Sequence, residues 1–415
     1  MTTDRLEPLL KYHPFTRLSA LLDGVPPGGA PLLLSVGEPQ LAPPPFLAEV
    51  LSRHAEQWSR YPPTQGTAEF RTAVADWLGR RYGLPAPMID PDRHLLPVAG
   101  SREALFLTAL SAVPERRRGP RLAVLMPNPF YHVYAGAAAV TGAEPVFLPA
   151  TRETGFLPAI DELPPALLAR TALAYVCSPA NPQGTVAPPA YLRRWIELAR
   201  RHDFVVAFDE CYAETYLEAP PPGALAACAA LGGELDNVLV FHSLSKRSGV
   251  PGLRSGFVAG DARLIRRQIQ LVNFGGVAPP LPVLAASAAL WRDEAHVEAG
   301  RAHYRRNVAV AERTIGGRFG FFRPAGGFFL WLEVGDGEAA ARRLWAEAGV
   351  RVLPGAYMAR PDATGANPGR RYIRVALVYD AATTAAGLTR LVEVLDGSGP
   401  AADRAAAGAA AEAGA

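Results

Sequence analysis

Lysine occurs only at Lys11 and Lys246 in a chain with 42 lysines plus arginines, so the other 40 basic residues are arginine. Arginine stays protonated in proteins, whereas a partly desolvated lysine can lose its proton and condense with a carbonyl as a free amine. Lys246 is therefore the first residue to consider for chemistry. It lies in Phe241-His242-Ser243-Leu244-Ser245-Lys246-Arg247, directly after the apolar run Asn237-Val238-Leu239-Val240-Phe241. That run reads as a buried parallel strand, and open α/β sheets place their sites at strand ends.

Other strand ends carry matching chemistry. Ala99-Gly100-Ser101-Arg102-Glu103 closes one strand and opens a helix, so backbone N–H groups at Ser101 and Arg102 can face an anion. Phe208-Asp209-Glu210-Cys211-Tyr212 ends another strand with acids, and Ser178-Pro179-Ala180-Asn181-Pro182-Gln183-Gly184 brackets an asparagine between prolines. Arg254 follows Lys246 by eight residues and, with the hydroxyls of Ser243 and Ser245, can pair with a phosphate. A pyridoxal phosphate site needs these parts: a Schiff-base lysine, a phosphate cradle, an anion under the pyridine nitrogen, and donors to the phenolic oxygen. Each piece also has a plainer reading. Ser101 serves equally as a helix cap, Asp209 as a turn acid and Asn181 as a turn residue.

Taken jointly, Asn-Pro-x-Gly, Asp-x-x-Tyr, Ser-x-Ser-Lys and an arginine eight residues on resemble the class I/II, fold-type I, pyridoxal phosphate aminotransferases, over about residues 17–395. The resemblance implies that Lys246 is the Schiff-base lysine and proton shuttle, Asp209 the pyridinium partner, and Asn181 and Tyr212 the donors to the phenolic oxygen. It implies that Tyr131 stacks on the ring and that Ser101, Arg102, Ser243, Ser245 and Arg254 form the phosphate cup. Arg374, in Tyr372-Ile373-Arg374-Val375, matches the arginine that grips the substrate α-carboxylate, with Gly37 and Asn181 beside it. Tyr61 matches a tyrosine that reaches the phosphate of a neighbouring subunit, which implies a homodimer with shared sites.

Finer wording is similar to the N-succinyl-diaminopimelate aminotransferases of lysine biosynthesis. It is carried by Gly100-Ser101-Arg102-Glu103-Ala104-Leu105-Phe106, by Ser243-Leu244-Ser245-Lys246-Arg247-Ser248 with Val250-Pro251-Gly252, by Trp291-Arg292-Asp293-Glu294-Ala295-His296-Val297, and by Val352-Leu353-Pro354-Gly355 with Asn367-Pro368-Gly369. Two stretches depart from it: Phe274-Gly275-Gly276-Val277-Ala278-Pro279 replaces a more polar turn, and Gly249 stands where asparagine is usual. The substrate carries carboxylates beyond the one assigned to Arg374, and Arg17, then Arg102, are the candidates to read them. Another amino-acid aminotransferase on the same frame is the rival enzyme, since fold and cofactor residues do not fix the side-chain pocket. A ligand-sensing regulator would need a DNA-binding module, for which the segment before Gly37 has neither length nor basic character.

The elements that position these residues read as an α/β fold. Apolar strands are expected near 95–98, 121–126, 144–148, 172–177, 204–208, 237–241 and 256–259, with amphipathic helices such as 102–113 and 190–202 between them. This alternation predicts a mostly parallel seven-stranded sheet covered on both faces. A long helix near 281–313 should lead into a smaller α/β domain with strands near 327–333 and 372–377. The expected division is an N-terminal segment, 1–45, packing on the small domain; a large cofactor-binding domain, 46–290; the small domain, 291–396; and a disordered Ala/Gly tail, 397–415.

Composition narrows the partners. At 415 residues, 20% charged and net +3, the chain has no excess positive charge to suggest nucleic acid. No apolar run of about 18 residues suggests a membrane span, and the first residues lack a signal-peptide pattern, so a cytoplasmic protein acting on small molecules is expected. Cys177, Cys211 and Cys228 sit in apolar runs and read as reduced thiols rather than disulfides or metal ligands. Phosphate loops of the GxxxxGK[ST] type, HExxH, GxSxG and CxxC are all missing.

Overall fold

A computed structural model describes residues 13–115 and 119–397. The tail beyond 397 therefore lies outside the described residues. Seven strands form the main sheet in the order Leu95–Val98, Gly256–Gly260, Val238–Ser243, Val205–Asp209, Thr171–Cys177, Ala123–Asn128 and Glu144–Pro149. Gly256–Gly260 alone runs against its neighbours. The other adjacent pairs are parallel.

The central strands are apolar throughout because both faces are covered. Val206, Phe208, Val238 and Val240 join a layer with Trp77, Trp195 and Trp291. The alternate residues Val205, Ala207, Leu239 and Phe241 join the opposite layer with Tyr134 and Tyr175. Period-two alternation thus decides which face each strand-end residue meets. Asp209 continues the 205–207 face and Ser243 the 239–241 face, whereas His242 continues the other.

The chain divides into two units, one of residues 41–301 with 325–327, the other drawing on residues up to 40, 302–324 and from 328 onward. In the second unit, Leu353–Pro354, Tyr372–Ala376 and Phe329–Glu333 form a three-stranded antiparallel sheet. The N-terminal helix Pro14–Leu21 seats Leu18 in a cluster with Leu353, Ala356, Tyr357 and Met358.

The helix expected across 281–313 is two helices, Leu281–Arg292 and Ala295–Ile315. Asp293 breaks it: its backbone is extended, and its carboxylate accepts the His296 backbone N–H at 3.1 Å, capping the second helix. Among the described residues no helix is long and apolar enough to cross a membrane.

Candidate active site

In the first unit the candidate residues converge on strand ends. Asp209 ends its strand opposite Cys177 on one neighbour and Phe241 on the other. It is almost wholly buried. Tyr134 donates its hydroxyl to Asp209 Oδ2 at 2.6 Å, and the Cys211 backbone N–H approaches Oδ1 at 3.3 Å. Burial pushes the Asp209 carboxyl above its ordinary value, against the pull of the Tyr134 and Cys211 hydrogen bonds. A buried carboxylate in that condition favours a cation beside it.

Tyr134 is itself positioned by rings. It stacks on Tyr175, with centroids 4.5 Å apart and planes 10° from parallel, and meets Tyr131 edge-on at 5.7 Å. Tyr131 accepts Arg102 Nε at 2.8 Å. A line of contacts therefore runs from the Ser101 turn through Tyr131 and Tyr134 to Asp209. Sequence reasoning singled out Tyr131 but missed Tyr134; the available signal was an aromatic three residues on, one helical turn further along the same face.

Lys246 sits half-buried in the one-turn helix Leu244–Arg247, which continues directly from strand Val238–Ser243. Ser243 caps this turn: its Oγ accepts the Ser245 N–H at 3.1 Å and lies 3.0 Å from Ser245 Oγ. The Cys211 thiol is made harder to ionise, chiefly by burial and then by Asp209, while the Lys246 charge pulls the other way. The three cysteines are free, and burial raises all three thiols.

Arg254 adopts a left-handed backbone with φ +55° and points Nη1 to Pro251 O at 3.0 Å and Nη2 to Ala99 O at 2.8 Å. That brings the guanidinium against Gly100, the N-cap of helix Ser101–Ala112. A Cβ on Gly100 would lie 2.3 Å from Arg254 Nη2, so the turn must be bare. Glycine brings no capping oxygen, and the first N–H groups of the helix keep their attraction for an anion. Beside them opens a cavity of about 640 Å³ lined by Arg102, Arg254, Phe106, Val133, Val277 and Pro280 among others.

Asn181 lies half-buried in a turn closed by Ala180 N–H to Thr185 O and Gly184 N–H to Ala180 O, at 2.8 and 2.7 Å. Tyr212 is buried just past Asp209. Glu210, next to Asp209, is engaged elsewhere: it accepts Tyr82 Oη at 2.8 Å and the Ala224 N–H at 2.6 Å and lies 3.1 Å from His242 Nε2. Of the two adjacent acids, only Asp209 meets the tyrosine line.

The second unit carries its own cluster. Arg374, buried on the central strand Tyr372–Ala376, donates Nη2 to Ser35 O at 2.8 Å and lies over the Phe329 ring, 4.2 Å from its centroid. Gly37 belongs here too, since a Cβ there would come within 2.3 Å of Phe329 Cζ. Arg17 stands apart from Arg374, over the Tyr357 ring at 3.9 Å and 3.4 Å from Glu338 Oε1. Tyr61, in the first unit, is fully exposed.

The sequence profile described as aminotransferase class I and II matches residues 30–395. The chain is 33% identical to the 4-dedimethylamino-4-oxo-anhydrotetracycline transaminase OxyQ of Streptomyces rimosus, covering 86% of this chain and 92% of that one. It is 30% identical to the LL-diaminopimelate aminotransferase of Nitratidesulfovibrio vulgaris, over 84% of this chain and 87% of the relative. Among solved structures, an aminotransferase from Neisseria meningitidis superposes with a TM-score of 0.88 at 38% identity, covering 93% of this chain and 99% of that one.

Proposed function

This chain belongs to the class I and II aminotransferases, pyridoxal phosphate enzymes of fold type I that act on amino and keto acids, and from that premise we propose that it exchanges an amino group between glutamate and N-succinyl-2-amino-6-oxopimelate in the cytoplasm, on the path to diaminopimelate and lysine. The observation that carries the catalytic half of this reading is the buried Asp209, held by Tyr134 on the strand next to the one that runs into Lys246. Two features suit the cofactor: a carboxylate raised by burial, which a cationic ring nitrogen would relieve, and a bare turn at Gly100 packed under Arg254, which suits a phosphate. Support for the substrate comes from the sequence wording around Lys246 and 291–297 and from the diaminopimelate relative.

Pyridoxal phosphate, when bound, supplies an aldehyde carbon and an electron-withdrawing ring. Lys246 Nζ would hold the cofactor and supply the base for the α-proton of the amino donor. Asp209 keeps a proton on the ring nitrogen. Tyr131 would face the ring, and Asn181 and Tyr212 would be the donors to its phenolic oxygen. Ser101, Arg102, Ser243, Ser245 and Arg254 hold the phosphate. Arg374 and Gly37 would take the substrate α-carboxylate, and Asn181 is a further candidate to meet it. Arg17 and Arg102 are the candidates for the distal carboxylates, and Arg17 would first have to exchange Glu338 for substrate.

A half-reaction screen tests the substrate. The holoenzyme is mixed in turn with glutamate, N-succinyl-diaminopimelate, LL-diaminopimelate, aspartate and aromatic amino acids, and the cofactor absorbance is followed. Faster conversion by LL-diaminopimelate or an aromatic donor than by the succinylated compound would sink the substrate assignment. The resemblance at Tyr61 supports a homodimer with shared sites, and full exposure of that side chain on its own chain suits such a role. Mixing inactive Lys246→Ala protein with an inactive Tyr61→Ala protein should restore activity through hybrid dimers with one intact site; a fully active sedimenting monomer would contradict shared sites.

A further inference from the structure

A helix of one turn cannot hold itself, because nucleation costs more than a single turn of hydrogen bonds returns. Leu244–Arg247, which bears Lys246, must therefore be fixed from outside. Ser243 secures its first end. The Ser248 N–H closes the second end on Leu244 O at 2.9 Å, and Ser248 is itself buried. Its hydroxyl lies 2.8 Å from His296 Nε2, and His296 Nδ1 lies 2.5 Å from Asp293 Oδ1. Facing a carboxylate, Nδ1 carries the ring proton; Nε2 is then bare and accepts the Ser248 O–H. Burial holds the imidazole below its ordinary pKa against the pull of the Asp293 hydrogen bond, with Arg247 adding to the burial effect.

Ser, His and Asp stand here in the order that activates a hydrolase nucleophile. Ser248, however, is buried and does not line the cavity beside Gly100, so nothing places a substrate at its oxygen. Its surroundings point to a mechanical task. Arg247, the residue between Lys246 and Ser248, is tied to the same place: Nη1 donates to Leu290 O at 2.7 Å and Nη2 to Glu294 Oε1 at 2.6 Å, with the guanidinium over the Trp291 ring at 4.8 Å. Both residues that follow Lys246 are thus anchored on the two-acid break, Asp293-Glu294, between helices Leu281–Arg292 and Ala295–Ile315.

We propose that the Asp293–His296–Ser248 chain is a positioning device for Lys246, fixing the C-terminal end of the turn that aims its amine. The proposal rests on the reading of Lys246 as the reactive lysine. Ser248 and His296 are positioning residues, acting through the backbone of the turn.

The test compares Ser248→Ala, Ser248→Thr, His296→Gln and the Ser248→Ala/His296→Gln double variant with the parent. Amide hydrogen exchange of residues 244–248 is read in the apoprotein, with strand Val205–Asp209 as internal reference, and the glutamate half-reaction in the holoenzyme. In Ser248→Ala, exchange at 244–248 should quicken by about tenfold with the reference strand unmoved, and the rate at saturation should fall by about tenfold, with the KM for glutamate within about twofold. Ser248→Thr, which restores a hydroxyl, should recover most of both. The double variant should be no slower than the worse single, since either change breaks the same chain. Should His296→Gln fail to fold, the Ala and Thr pair at 248 carries the test. Parental exchange and rate in Ser248→Ala, beside an inactive Lys246→Ala control, would overturn the positioning role alone. A Lys246→Ala protein that still transaminates would overturn the reading of Lys246 and this role with it.

Discussion

Asp209 and Arg374 are both charged and both almost wholly buried, yet they are held in different ways. Asp209 ends a strand inside a seven-stranded sheet and is fixed by a side chain, Tyr134, which is fixed in turn by the Tyr175 ring. Arg374 lies on a three-stranded sheet and is fixed by a backbone carbonyl, Ser35 O, and one aromatic face, Phe329. In the first arrangement each group answers to the next, so a change at one is passed to its neighbours. The second holds a guanidinium through the backbone and a ring face. Under the roles proposed for them, the first cluster serves the chemistry and the second serves binding of the carboxylate that every amino donor carries.

The sharpest way to break this contrast is at Lys246. Lys246→Arg keeps the charge but removes the only amine of the cluster, and the transamination rate should fall by at least about a thousandfold. A rate near the parent would dissolve the first cluster as an active site.

Asp209→Asn should come next, lowering the rate by about a hundredfold while raising the melting temperature of the apoprotein. The sign follows from the raised carboxyl: a folded pKa above the unfolded value means that ionisation costs stability as pH rises through it, so at pH 7 the neutral amide is the more stable group. Calorimetry of both apoproteins checks this, and a lower melting temperature for Asn would contradict the burial argument.

Arg374→Lys should act on binding more than on chemistry. Losing the planar fork should raise the KM for every amino donor by roughly tenfold or more, with kcat less affected, in steady-state assays. A selective effect on one donor would move Arg374 from common carboxylate recognition to side-chain recognition.

The smallest effect compares the two units directly. Burial lowers the pKa values of His94 and His296 in the first unit and of His303 in the second. A lowered folded value gives stability that is present above the unfolded value and is lost as pH falls through the folded one. The melting temperature should therefore drop by a few degrees between about pH 6.5 and pH 5. His296→Gln should flatten the drop, and an unchanged slope would show that His296 is not buried neutral.

Most of the first cluster was legible because its residues terminate continuous apolar runs, and strand ends can be located from such runs within a residue or two. The strand expected at 204–208 forms at Val205–Asp209, and that expected at 237–241 at Val238–Ser243. What joins the cluster together was not legible. Tyr134 and Asp209 are far apart in sequence, as are Ser248 and His296, and no local period links them. The break at Asp293 did leave a signal, an acid placed to cap, but the apolar spacing on either side reads as one helix. The setting of Arg17 was not legible either, since a lone helix cation does not announce whether a ring, an acid or a substrate will take it.

Gly100 and Arg254 also constrain the history of this chain. The guanidinium occupies the volume that any side chain on residue 100 would need, and the residue's φ of +92° already disfavours one. Every single-base change that turns a glycine codon into that of another amino acid installs a Cβ. Change at codon 100 therefore meets two costs at once, a left-handed backbone that any L side chain strains and an Arg254 guanidinium that must give up its place against Ala99 O and Pro251 O.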